Sequence, residues 1–166
     1  DLAVSEGETF DFADETVSIL DVSGHTVGHI AFHFPDTAAV FTGDSLMAMG
    51  CGRLFEGSPA QMFASLSKLA ALPDATTVCS GHEYTASNGA FAASLGEDNA
   101  AVAQRISDTT DMRAKGIATV PSNLGLEKQT NPFLRSADPA LQKALGMEGA
   151  APVDVFTEVR KRKDNF

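Results

Sequence analysis

The chain has little cysteine, little positive charge and no long apolar run. Two cysteines among 166 residues, Cys51 and Cys79, do not make a disulfide framework, so a reducing cytoplasm is the default compartment. Cys79-x-x-His82 has a chelating spacing, but a cysteine inside a strand more often packs as a small hydrophobe. No apolar stretch approaches the ~20 residues needed to cross a bilayer. No basic segment precedes an apolar one in the manner of a secretory leader. Lys and Arg total 12 against 22 Asp and Glu, a net charge of −10. Four of the 12 are consecutive, Arg160 to Lys163, which leaves the rest of the chain strongly acidic. Such a field repels phosphate backbones and argues against nucleic acid as a partner. A basic tail on an acidic body suits either a small anion held locally or a solvated helix end. Internal repeats and low-complexity stretches are also missing.

What is present reads as an α/β layered chain. Residues 8–12 and 16–21 are strand candidates around a turn at 13–15. Ile30, Phe32 and Phe34 alternate with Ala31 and His33, the pattern of a half-buried strand, and Pro35-Asp36 turns the chain into a partner at 38–41. His33 lies opposite the three apolar residues and takes no role. Ser58-Pro59-Ala60-Gln61 combines an N-cap, a proline at the first helical position and a capping-box glutamine. Met62, Leu66 and Leu69 follow at helical spacing, and residues 76–80 return to strand. Helices are expected at 86–95, 99–115, 138–145 and 152–163, with an ordered loop at 121–132. A soft boundary near 95–99 divides a sheet-bearing part, 1–96, from a helical part, 97–166. With 43% hydrophobic residues the chain can build a core, but apolar strand faces left uncovered would be a liability.

Three strand-like stretches end in side chains that bind metals. His25 follows Gly24, Asp44 follows Gly43 and His82 follows Gly81. A strand holds its backbone rigidly, so a ligand just past its end is fixed while its donor atom stays accessible. Imidazole and carboxylate donors suit Zn(II), Mn(II) or Fe(II). Glycines before Asp44 and His82 permit close backbone packing, although a simple turn also explains them.

These segments resemble the metallo-β-lactamase superfamily and, within it, glyoxalase II (hydroxyacylglutathione hydrolase). They are S-G-H-T-V-G-H-I at 23–30, F-T-G-D-S-L at 41–46 and S-G-H-E-Y-T at 80–85. Three narrower segments join them: G-C-G-R-L-F-E-G at 50–57, N-P-F-L-R at 131–135 and V-R-K-R-K-D-N-F at 159–166. The resemblance implies the C-terminal portion of an αββα sandwich, carrying a helical substrate-binding domain. The family's upstream H-x-H-x-D-H motif is missing from a chain with four histidines that starts at Asp1. The economical expectation is the C-terminal part of a longer enzyme.

By the same resemblance His25 binds the first of two divalent metals, His82 the second, and Asp44 bridges them. The metals are Zn, Fe or Mn. His29 is expected to support the site without ligating. Arg53, Phe55, Tyr84, Arg160 and Lys163 would surround glutathione, the last two meeting its glycine carboxylate. Some family members carry tyrosine where Phe55 stands; phenylalanine offers no hydroxyl contact. The implied reaction is attack of a metal-bridging hydroxide on S-D-lactoylglutathione, giving D-lactate and glutathione in methylglyoxal detoxification. The implied protein is a cytoplasmic monomer acting on a small molecule, away from membranes and nucleic acid. A mono-iron persulfide dioxygenase is the rival within the superfamily; a non-catalytic fragment or binding domain is the rival outside it. Three ligands shared between two metal positions leave each under-coordinated, so these residues alone are expected to bind metal weakly and to turn over slowly or not at all.

Overall fold

The computed structural model describes residues 2–166. Among the described residues, β1 (Thr9–Phe12), β2 (Glu15–Asp21), β3 (Ile30–Phe34) and β4 (Ala39–Gly43) form an antiparallel meander. A two-stranded hairpin follows, β5 (Leu46–Met47) and β6 (Gly50–Cys51). Helix α1 (Pro59–Ala70) then crosses over to β7 (Thr77–Ser80), which pairs parallel to β4. The rest is helical: α2 (Thr85–Ser94), α3 (Ala100–Ala114), α4 (Leu124–Thr130), α5 (Pro139–Leu145) and α6 (Pro152–Asp164). The short β8 (Ser122–Asn123) adds to the outer edge of β7, giving the sheet order β1-β2-β3-β4-β7-β8. No helix among the described residues is long and apolar enough to cross a membrane.

The capping box read from residues 58–61 forms as expected. The Ser58 hydroxyl accepts from the Gln61 amide at 3.2 Å, and the Gln61 side chain accepts from the Ser58 amide at 2.8 Å. Met62, Leu66 and Leu69 then project from one side of α1 onto Val22, Ala31, Val40 and Val78 of the sheet. The same core continues through Phe91, Phe133 and Phe156 into the helical part.

Two expectations are corrected. The stretch 121–132 is not a loop: Asn123 caps α4 by accepting from the Leu126 amide at 3.1 Å. The turn that follows buries Glu127 and Thr130 as well as Leu124, so no apolar period betrays it. The β5–β6 hairpin was not anticipated either, since two-residue strands carry no alternation.

The alternation in β3 points the other way from what its pattern suggests. Ala31 is the fully buried core residue, while Ile30, Phe32 and Phe34 are half-buried on the opposite face. Phe10 and Phe12 share that face through the pairs Phe10↔Val17 and Ile19↔Phe32. Edge-on ring contacts tie it together: Phe10–Phe32 at 6.2 Å, Phe12–Phe34 at 6.2 Å and Phe34–Phe41 at 5.4 Å. Val17 and Ile19 are fully buried beneath these rings. A groove of about 720 Å³ runs along the face, and Phe41 stands 48% exposed in it.

Candidate metal centre and adjoining anion pocket

Strand polarity brings the three candidate ligands to one end of the sheet. Strands β2 and β4 both run antiparallel to β3, and β7 runs parallel to β4. The C-terminal ends of β2, β4 and β7 therefore lie on the same edge. His25, Asp44 and His82 sit just beyond them. The Nε2 of His25 lies 3.6 Å from one Asp44 carboxylate oxygen, and the Nε2 of His82 lies 3.4 Å from the other. Each oxygen thus faces a different imidazole, the disposition a carboxylate shared by two cations requires. Among the described residues, no three His, Cys, Asp or Glu side chains gather closely enough to hold one ion.

The imidazole of His25 is oriented from behind. Its Nδ1 donates to the Arg53 carbonyl at 2.7 Å, which leaves the Nε2 lone pair directed at Asp44. His29 lies outside the carboxylate's reach. Its Nε2 is 3.3 Å from the Thr42 carbonyl, and its ring meets that of His25 edge-on at 6.1 Å. Glycines make room for this packing. A Cβ on Gly81 would stand 2.4 Å from an Asp44 carboxylate oxygen, and one on Gly43 would stand 2.6 Å from His29 Nε2. Gly43 also has φ +52°, a conformation that favours glycine.

The residues assigned to substrate adjoin these ligands. Tyr84 stacks flat on His82, centroids 4.7 Å apart and planes 10° apart. Phe55 leans on His25 at 5.0 Å and is otherwise exposed. A cavity of about 280 Å³ is lined by Gly52, Arg53, Tyr84, Ser87, Arg160 and Lys163. Phe55 does not line it. Arg160 is buried and largely committed: it donates to the Cys51 carbonyl at 3.1 Å and to Asp164 at 2.8 and 3.1 Å, and it lies over the Phe133 ring. Lys163 is freer, resting its ammonium near the Phe91 and Phe166 rings. Burial and the neighbouring Arg160 hold the Lys163 pKa below the ordinary lysine value, against the pull of Asp164. The same burial pushes the Cys51 thiol up to about 11 despite Arg160 beside it.

Asp164 is the residue the sequence reading left out. Its carboxylate accepts from both Arg160 and Arg53, the latter at 3.3 Å. The signal was available, because Arg160 and Asp164 stand four apart on one helix.

Comparison with known proteins adds the family. Residues 83–166 match the family model described as hydroxyacylglutathione hydrolase C-terminus, and residues 1–82 match the metallo-beta-lactamase superfamily. The chain is 66% identical over its whole length to the hydroxyacylglutathione hydrolase of Ruegeria pomeroyi and 57% identical to that of a Jannaschia species. It spans 65% of the length of each of these relatives. Among solved structures it is similar to TTHA1623 in a di-iron-bound form. That likeness has a TM-score of 0.52 and 31% identity over 79% of this chain and 47% of the other. It shares its fold with ETHE1 from Myxococcus xanthus at a TM-score of 0.56 and 21% identity, covering 99% of this chain and 61% of that one. With a family model covering its C-terminal half and relatives matching it end to end, this chain belongs to the hydroxyacylglutathione hydrolase family, on the metallo-β-lactamase fold.

Proposed function

We propose that this chain supplies three metal ligands and the glutathione pocket of a thioester hydrolase that converts S-D-lactoylglutathione to D-lactate and glutathione. The observation that carries the reading is the interlock of the two residue sets. His82 stacks on Tyr84, His25 touches Phe55, and the His25 ring is held by the Arg53 carbonyl. A ligand seated among the substrate residues would therefore bring its thioester beside Asp44. The relatives' shared name favours this over the persulfide dioxygenase reading.

The donor set fits divalent ions: two imidazoles with Nε2 turned toward opposite oxygens of one carboxylate. Zinc, iron or manganese would suit it, and a neighbour solved with two irons is consistent with that range. Such ions, when bound, lower the pKa of water and polarise a carbonyl. The chain's own residues bind and orient. Glutathione carries two carboxylates, and the pocket offers Lys163 and Arg53 with Arg160 behind them. Tyr84 and Phe55 flank the path toward Asp44. The departing group is a thiolate, which needs little acid assistance. We assign residues 1–96 to the C-terminal part of the sandwich, which carries the metal ligands, and 97–166 to the helical substrate-binding domain, in a cytoplasmic monomer serving methylglyoxal detoxification.

Three donors are fewer than two ions need. These 166 residues alone should therefore bind metal weakly and hydrolyse the thioester slowly or not at all. The test uses a substrate-like ligand. Millimolar S-methylglutathione should shift the NMR signals of Tyr84, Arg53 and Lys163, and Mn(II) should broaden those of His25 and His82. Asp44→Asn should abolish the broadening and spare the ligand shifts. Absence of shifts in the wild-type chain would refute the pocket assignment.

A further inference from the structure

Of the N-P-F-L-R motif at 131–135 only Phe133 has entered the site, beneath Arg160, yet its asparagine reaches the loop that forms the site. Asn131 is fully buried. Its side-chain amide donates to the Met47 carbonyl at 3.1 Å and to the Gly50 carbonyl at 3.0 Å, and it also lies 3.1 Å from Glu127. Its side-chain oxygen accepts from the Phe133 amide at 3.0 Å, which fixes which way the group points. Glu127, also fully buried, accepts from the Met49 amide at 2.9 Å, and Arg105 neutralises it. Asn88 completes the set by donating to the Ala48 carbonyl at 3.0 Å. A Cβ on Gly50 would lie 2.5 Å from the Asn88 amide, so the hairpin is fitted closely around these side chains.

Four consecutive residues, 47 to 50, thus have a backbone group held by a side chain from α2, from α4 or from the residue that ends α4. Met49 sits at φ +57°, a region a side-chain-bearing residue rarely adopts unless its surroundings impose it. The chain leaving this hairpin supplies the site. The Cys51 carbonyl receives Arg160, the Gly52 amide donates to the Ser45 carbonyl at 3.1 Å, and the Arg53 carbonyl receives His25. Apolar residues of similar volume could hold two-residue strands without burying an ion pair and two amides. Hydrogen bonds are directional, and they fix where the hairpin's exit points.

We propose that Asn131, with Glu127 and Asn88, positions the 50–57 loop, so that Arg53 presents its carbonyl to His25 and its guanidinium to the anion pocket. The inference rests on the reading of that pocket as a glutathione site. Asn131 itself does not line the cavity.

The experiment compares Asn131→Leu with Leu141→Ala in the whole chain. Leu141 is fully buried in α5, and its apolar side chain makes no hydrogen bond to the hairpin. Hydrogen exchange should show Asn131→Leu losing protection at the Met49 and Gly52 amides selectively. S-methylglutathione should bind it about tenfold more weakly, the order expected when buried carbonyls lose their donors. Leu141→Ala should lower protection throughout and leave binding within about twofold, because it removes apolar packing and leaves the hairpin's hydrogen bonds in place. Should Asn131→Leu fail to fold, Asn88→Ala removes one bond of the set; because Asn88 also lines the cavity, this variant is read by hydrogen exchange, with selective loss of protection at Met49 and Gly52 expected. Wild-type binding in the folded Asn131 variant, wild-type protection at Met49 and Gly52 in the Asn88 variant, or identical behaviour of Asn131→Leu and Leu141→Ala, overturns the proposal. If the wild-type chain binds no S-methylglutathione, the pocket reading fails; selective loss of protection at Met49 and Gly52 then still supports the positioning role, and its absence refutes it.

Discussion

Gly52→Ala should be among the most damaging small substitutions in the chain. A Cβ built on Gly52 lies 2.0 Å from the Asp44 backbone carbonyl oxygen, and 3.0 and 3.1 Å from atoms of His25. An ordinary carbon–oxygen contact is about 3.2 Å, so two backbone segments would have to separate by about 1 Å. Neither yields easily. The Gly52 amide is tied to the Ser45 carbonyl at 3.1 Å, and the Arg53 carbonyl is tied to His25 at 2.7 Å. Overpacking against fixed backbone costs about 1–3 kcal/mol, and the rigidity here places the expectation at about 2–3 kcal/mol. Urea unfolding would measure it. Gly28→Ala is the control, because its Cβ would meet nothing within 4 Å and only its φ of +81° is unfavourable; that costs about 1 kcal/mol. A second readout is binding of S-methylglutathione, which should weaken in Gly52→Ala because Arg53 moves with the loop. Stability within about 0.5 kcal/mol of wild type, with binding intact, would refute the idea that the loop is wedged against Asp44.

Arg160→Ala should cost about 2–3 kcal/mol in urea unfolding, because it strips Asp164 and the Cys51 carbonyl of a buried charged donor. Lys163→Ala should cost under about 1 kcal/mol while weakening ligand binding as much; equal stability losses would refute the division between a buried brace and a freer anion contact. The Lys163 pKa lies below the usual value because of burial and then Arg160, so the protonated form that attracts a carboxylate is lost on raising the pH earlier than for an exposed lysine. Binding of S-methylglutathione should fall correspondingly on the alkaline side, and Lys163→Arg, charged throughout, should remove that fall. The aromatic face of the sheet should bind the dye ANS in the native state, and Phe41→Ser should reduce the fluorescence without lowering stability by more than about 1 kcal/mol, since Phe41 is 48% exposed.

Sequence made some of this arrangement legible and concealed the rest for identifiable reasons. His25, Asp44 and His82 could be picked out because each follows a glycine at the end of an apolar stretch, and parallel strand ends do meet at one edge. Helix α1 was legible because its cap, its proline and its apolar period all agree. The orientation of β3 was not. Alternation reports two faces, and the larger apolar side chains are normally taken to face the core; here Ala31 does, because α1 packs closely over it. Helix α4 was hidden because the face it buries carries Glu127 and Thr130, whose partners Arg105, Met49 and Asn131 are remote in sequence or lie past its end. Hydrophobic period detects apolar burial and is blind to a paired polar interior. Arg160 shows a related limit: its type suggested a free cation for substrate, and only packing reveals that Asp164 and Cys51 already hold it.

Gly81 separates stability from function more cleanly than any ligand substitution. A Cβ there would stand 2.4 Å from an Asp44 carboxylate oxygen, the side that faces His82, with the next neighbour, the Gly43 carbonyl, at an ordinary 3.4 Å. The obstacle is the tip of a half-exposed side chain, so the carboxylate can turn away and the backbone need not move. Gly81→Ala should therefore unfold within about 1 kcal/mol of wild type, whereas Gly52→Ala, pressed against backbone, should not. The turned carboxylate can no longer offer one oxygen to each imidazole. Broadening by Mn(II) should then vanish from His82 while the stability curve hardly shifts, and S-methylglutathione should still perturb Lys163. If His25 and His82 broaden in Gly81→Ala as they do in wild type, Asp44 does not join the two imidazoles, and the two-cation disposition of this edge is wrong.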